Sequence, residues 1–361
     1  MSDTRIDNFA KTLVNYSVRA KSRETIAISG PSTAEDLITA VHEELLRKGA
    51  YPIIQMTPPG TTESFFRLGK PHHFNSISRY QSTFPRLVDG FVRILAENNT
   101  RELSSISPTR QAALSKASKP MRETMLKKKW VLTLYPTAAY AQDAEMSLND
   151  FEDFVFGATF SDEKDPVKAW KALAAYQQKL IRKLAGADQI RIVGPDTDLS
   201  MSVKGRTFIN SAGTHNMPSG EIFTGPIESS AEGHIRYDFP VCVQGREVEG
   251  IRLVFRKGRV VEATADKNQA FLLAMLDQDP GARRLGELGI GTNRKIQRFT
   301  KNILFDEKIG GTVHLALGQS YAETGGKNKS ALHWDMIKDL RKGGCLYVDG
   351  SVFQKDGKFK G

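Results

Sequence analysis

Cysteine is almost absent from this chain: Cys242 and Cys345 are the only two in 361 residues, and they form no CxxC pair. That excludes a disulfide scaffold and a thiolate zinc site, and it points to a reducing, cytoplasmic setting. No apolar run reaches the ~18 residues that a membrane span needs, so no membrane partner is expected. The opening MSDTRIDNFAKTLV carries acidic residues early and lacks an apolar core, so it is not expected to act as a signal peptide. A phosphate cradle is lacking too: SGPSTAE has neither the GxGxxG pattern nor a GK[ST] ending and reads as a plain turn. Basic strands interleaved with aromatics, the kind that stack bases, are missing. The net charge of +10, from 51 basic and 41 acidic residues, is dispersed over Lys127–Lys129, Arg256–Arg259, Arg294-Lys295 and a lysine-bearing tail. It reads as solvated surface, with no nucleic-acid partner.

What is present divides into two textures. Residues 6–20 place Ile6, Phe9, Leu13, Val14 and Val18 at helical spacing. ETIAISGPS then reads as a strand, with Ser32 and Thr33 as candidate caps for a helix over 34–47. Gly49 stops that helix, and YPIIQM forms a second strand. A strand–helix–strand unit favours a parallel sheet. The pattern resumes at Leu87–Leu95 and at KKKWVLTLYPT, and residues 147–185 are mainly helical. Trp130 and Trp170 read as core or interface. His72 and His73, adjacent in a loop beside Pro71, point to opposite sides and make a poor metal pair. The first 185 residues offer no catalytic set.

From Gln189 the chain turns to short β-type segments separated by Gly, Asn and Asp. The expected organisation is an α/β N-terminal domain over residues 1–200 with a mainly parallel sheet, then a β-rich α+β catalytic domain over 201–361. The second domain holds the chemistry-bearing residues. GGTVHLALGQSYAETGGKNKSALHWDMI carries His314, Tyr321 and, beyond a flexible Gly/Asn/Ser-rich connection, His333-Trp334-Asp335. Alternate residues of an extended strand face one side, so His333 and Asp335 converge while Trp334 packs the other way. Upstream lie Glu221 in NMPSGEIFTGP, Glu287 in GARRLGELGIGTN, and Asp306 and Glu307 in FDEKIGG. Carboxylates and imidazoles gathered at strand ends are the donors that first-row divalent metals take, and their acidity suggests two ions.

The order LVNYSV, WVLTLYPTAAYAQ, NMPSGEIFTGP, GARRLGELGIGTN, HLALGQSY and SALHWDM resembles the thermophilic aminopeptidase T family of metallopeptidases. The likeness runs from about residue 8 to the C-terminus. It implies two divalent ions (Zn, Co, Mn or Mg), a homodimer, and release of N-terminal amino acids from peptide substrates. Carried over by motif, the implied metal ligands are Glu221, Glu287, Glu307, His314, His333 and Asp335, and Tyr321 matches the family's active-site tyrosine. In the implied mechanism Tyr321 donates to the oxyanion, and Glu221 or Glu287 relays the proton from an activated water. Two departures stand out: the family's Asp-Glu-Asn is Asp306-Glu307-Lys308, with two extra residues before His314, and the His314–His333 connection is shorter. Two other readings compete. Two histidines and an aspartate also serve non-haem Fe(II) ring-cleaving dioxygenases of the dihydroxypyridine type. A basic binding protein with a vestigial metal site would instead bind nucleic acid with steep salt dependence.

Overall fold

The computed structural model describes residues 3–243 and 246–360. The chain forms two compact units, one made of residues up to Trp170 with Gly213–Pro218, the other of Lys171–Ala212 and the residues from Ser219 onward.

The first unit opens with the helix Thr4–Thr12, whose N-terminus is capped by Asp3 accepting from the Arg5 amide. It continues as a single π-helical stretch, Leu13–Ser17. Phe9, Leu13 and Val14 are fully buried, as the spacing predicts. A five-stranded parallel sheet forms the centre, in the order Tyr51–Thr57, Thr25–Pro31, Gly90–Leu95, Lys129–Leu134, Asn216–Met217. Ile26, Ile28, Val92, Ile94 and Val131 are buried along its strands. The helix Glu35–Arg47 follows a 3-10 turn, Ser32–Ala34. The expected capping by Ser32 and Thr33 is not made. Ala34 occupies the cap position without a side-chain bond, and the Thr33 hydroxyl donates to the Ala96 carbonyl. His72 and His73 lie on a short helix, Pro71–Asn75, not in a loop, because Pro71 starts a turn whose His73 Nδ1 accepts from the Lys70 amide. Leu87 ends a helix, Arg79–Leu87, instead of opening the strand. Trp170 is fully buried, its indole donating to the Thr159 carbonyl.

The second unit is antiparallel. An eight-stranded sheet runs in the order Arg259–Thr264, Arg252–Arg256, Glu232–Arg236, Thr197–Ser202, Gln189–Gly194, Cys345–Val348, Ser351–Lys355, Lys358–Phe359. A five-stranded sheet runs His333–Asp339, Thr312–Gly318, Leu285–Gly291, Glu221–Thr224, Ile209–Ser211. One continuous core joins a face of each, with Ile190, Ile192, Leu199 and Met201 from the larger sheet and Ile222, Leu288, Ile290, Val313 and Leu315 from the smaller. The texture change at Gln189 is therefore the first strand of the larger sheet. No helix among the described residues is long and apolar enough to cross a membrane.

Candidate metal centre

The smaller sheet sorts its side chains by the two-residue pleat. In TVHLALG, Val313, Leu315 and Leu317 enter the core, so His314 faces away from it. Leu288 and Ile290 do the same in LGELGIG and turn Glu287 to the His314 face. Ile222 in EIFT leaves Glu221 on that face, and Trp334 and Met336 leave His333 and Asp335 there. Register brings the positions level. Ala316 pairs with Glu287 on one side and Asp335 on the other, Gly289 pairs with His314, and Gly291 pairs with Glu221.

The glycines of LGELGIG make room for what lies on this face. A Cβ at Gly289 would stand 2.0 Å from Cε1 and Nε2 of His314, so the imidazole lies flat across that strand only because the position is glycine. A Cβ at Gly291 would meet the Ile309 carbonyl at 2.0 Å, so the segment 307–309 can approach the sheet there. That segment leaves a four-residue helix, Ile303–Asp306, and delivers Glu307 and Lys308 to the site.

The cluster forms a row. Lys308 Nζ bonds Glu307 Oε1 and lies 2.9 Å from Glu221 Oε1. Glu221 Oε2 is 3.2 Å from His314 Nε2, which is 3.4 Å from Glu287 Oε1. The other Glu287 oxygen is 3.4 Å from His333 Nε2, and His333 Nε2 is 3.4 Å from Asp335 Oδ2. Potential ligand atoms thus fall into two groups, Glu221–Glu307–His314 and Glu287–His333–Asp335, each within 4.8 Å. His333 Nδ1 lies 2.9 Å from the Gln319 carbonyl, which can only accept. Nδ1 therefore carries a proton, and Nε2 faces Glu287 and Asp335, the ring atom a metal would take in place of its proton, with the outer-shell carbonyl typical of a metal-binding histidine.

Burial sets the electrostatics. It raises the Glu287 carboxyl, and His314 offsets this only in part. Burial opposes charge on both imidazoles, yet their carboxylate neighbours prevail: His314 is raised by Glu287 and Glu221, and His333 is pushed up to about 9 by Asp335 and Glu287. Burial works against the Asp335 charge as well, but His333 holds that carboxyl below the usual range. Tyr321 stacks edge-on against His333, ring centroids 5.2 Å apart, and against Phe223 at 5.6 Å. Lost hydration and the fields of Glu287, Asp335 and Glu221 push its phenol far above the ordinary value.

A divalent cation fits this donor set. Four carboxylates face one lysine and two imidazoles, an excess of negative charge even with both rings protonated. In this cluster the carboxylate oxygens Glu221 Oε2 and Asp335 Oδ1 are buried without a hydrogen bond. Such orphaned acceptors are costly unless a cation is their partner.

A family model described as thermophilic metalloprotease (M29) matches residues 2–358. The chain belongs to the thermophilic metalloprotease family. It is a peptidase, and the family's chemistry is metal-dependent. The chain is 25% identical to Aminopeptidase 2 of Geobacillus stearothermophilus, with 99% of this chain and 95% of that protein covered. It is 29% identical to Aminopeptidase T of Thermus thermophilus over 67% of this chain and 68% of that one. The solved structure of wild-type AmpT from Thermus thermophilus superposes with a TM-score of 0.87 at 23% identity, covering 98% of each chain, and so shares the fold of this thermophilic metalloprotease. The comparisons give the dioxygenase alternative no support.

Of the expected residues, the structure brings together Glu221, Glu287, Glu307, His314, His333 and Asp335, with Tyr321 at the rim. Asp306 stays out: its Oδ1 accepts from the Thr300 amide at 2.7 Å and hydroxyl at 2.9 Å, and burial pushes its carboxyl up to about 7. The 319–332 connection is no loose tether either. Buried Asn328 donates to the Gly281 and Gly318 carbonyls, and its own carbonyl accepts from Ser320. Three contributors escape sequence reasoning. Gly289 clears His314, buried Gln177 donates to the Ser211 and Glu221 carbonyls, and Lys308, noted only as a departure from a motif, sits in the row itself.

Proposed function

We propose that this thermophilic metalloprotease is an aminopeptidase that hydrolyses the first peptide bond of its substrates at two metal positions. These are Glu221–Glu307–His314 and Glu287–His333–Asp335. The observation that carries the reading is Glu287, whose two oxygens reach one histidine of each group. It is the carboxylate suited to span both positions. Divalent ions bound there supply an acidified water and polarise the scissile carbonyl.

The remaining roles fall to side chains. Tyr321, whose phenol stays protonated, donates a hydrogen bond to the oxyanion that develops on the carbonyl oxygen. Of the two glutamates expected to relay a proton, Glu287 has both oxygens turned to the two metal positions and Glu221 has Oε1 engaged by Lys308, so the geometry favours neither as the base. A pocket beside His333 and Asp335, walled by Val241, Val243, Phe299 and Ile337 with Lys301 and Asp306 also in its lining, can receive a substrate side chain.

The test is substrate choice. Metal-reconstituted protein should hydrolyse an aminoacyl p-nitroanilide with a free α-amino group and spare its N-acetylated form. Equal rates on both would remove the aminopeptidase assignment, and inactivity with Zn, Co, Mn and Mg alike would remove the metal-hydrolytic one.

A further inference from the structure

The two ligand groups are not equivalent, and the difference is Lys308. Its side chain is fully buried, and its ammonium contacts Glu221 and Glu307, two of the three residues in the first group. The backbone behind it is fixed: the Lys308 amide donates to the Phe305 carbonyl at 2.9 Å, and its carbonyl accepts from Asn293 at 3.1 Å. The second group, Glu287–His333–Asp335, has no lysine or arginine in ion-pair contact among the described residues. An ion entering there meets a partly exposed histidine with its Nε2 already turned inward.

We propose that Lys308 acts as a resident cation in the first group, so that the chain fills its metal positions in order. The first ion binds at Glu287–His333–Asp335. The second must take the Glu221 and Glu307 oxygens from Lys308. Metal–carboxylate bonds are ~2.0–2.2 Å long, so an ion at those oxygens and the ammonium now held by them would be in strong repulsion. Moving the ammonium aside leaves it buried without its carboxylates, and breaking such a pair is expensive. The second ion therefore binds about 100-fold more weakly than the first. This rests on the two-position reading and adds which position is filled at low metal concentration.

Calorimetric titration of metal-free wild-type protein with Co2+, stoichiometry checked by elemental analysis, tests the order. The expected isotherm has one tight equivalent and a second about 100-fold weaker. Lys308→Met, which keeps the side-chain length without the charge, and Lys308→Asn, which empties the space, should each narrow the gap by at least about 10-fold. His333→Ala should remove the tight step and leave the weak one. Two equal tight equivalents in wild type overturn the proposal without any variant having to fold, as does a gap that is unchanged in both Lys308 variants. A wild-type protein that takes up no Co2+ overturns the two-position reading itself, an outcome distinct from equal binding.

Discussion

The two units treat buried charge in opposite ways. In the first, buried Glu44 is satisfied, accepting from Asn15 at 2.7 Å with Arg47 nearby, and Glu97 alone among its described carboxylates keeps a buried oxygen without a hydrogen bond, its carboxyl raised by burial. The pairs Arg67–Glu63 and Arg47–Glu43 lie on exposed helix faces, where they are worth little. The second unit buries Glu221, Glu287, Lys308 and His314 in one cluster and leaves Glu221 Oε2 and His314 Nδ1 without hydrogen-bond partners. Self-repelling, desolvated charge of that kind weakens a fold. A sheet that keeps it on one face while the other face packs normally is organised for chemistry, and the parallel sheet of the first unit is organised for stability.

Two substitutions would break that contrast if it were wrong. Gly289→Ala has the larger expected effect. The new Cβ falls on the His314 ring, which is fully buried and has to leave its position over the strand. Activity should fall by at least about 100-fold, more than loss of an outer-shell partner usually costs, while the fold weakens by only ~1–3 kcal/mol. Steady-state kinetics and urea unfolding on the same sample measure both. Ile28→Ala, in an interior strand of the parallel sheet, should do the reverse. Ile28 is fully buried, and truncation costs ~2–5 kcal/mol of stability. Its kcat/KM per folded molecule should stay within about threefold of wild type. A loss of turnover in Ile28→Ala like that of Gly289→Ala would show that the first unit shares the chemistry.

The contrast also marks what sequence reasoning reaches. His333 and Asp335 are readable because a strand alternates faces by geometry, so an apolar residue between two polar ones states which way they point. That logic does not extend to His314, Glu221 and Glu287, which enter by residue type and by the motifs of the family resemblance. It also stops at FDEKIGG, which straddles a four-residue helix and a turn and has no regular period. Asp306 and Glu307 are neighbours there, yet one accepts from Thr300 and the other reaches the row. Lys308 enters only because Gly291 lets the turn approach the sheet, and the need for Gly289 depends on its register with His314. Both are facts about pairs of strands that neither stretch states alone. The strand Asn216–Met217 was hidden for a related reason, since two residues carry no periodicity and its partner is Lys129–Leu134.

The smallest expected effect sharpens the comparison from within the second unit, at a charge that is fully satisfied. Asp339 ends the strand that begins with His333, and its carboxylate accepts from the Arg341 amide at 2.8 Å and from the guanidinium at 2.7–3.0 Å. Burial works against the charge, but Arg341 holds the carboxyl below the usual range. A carboxyl lowered in the folded state stabilises the protein above its unfolded pKa of ~3.9 and loses that contribution as pH falls through the folded value. Asp339→Asn should therefore cost ~1 kcal/mol at pH 7. The difference from wild type should shrink once pH drops below about 4 and should leave kcat untouched. Urea midpoints for both proteins at pH 7, 5 and 3 test this directly. A gap that persists at pH 3 would mean that Asp339 acts by shape and not by charge, and the division between satisfied structural charge and unsatisfied functional charge would have to be redrawn inside this sheet.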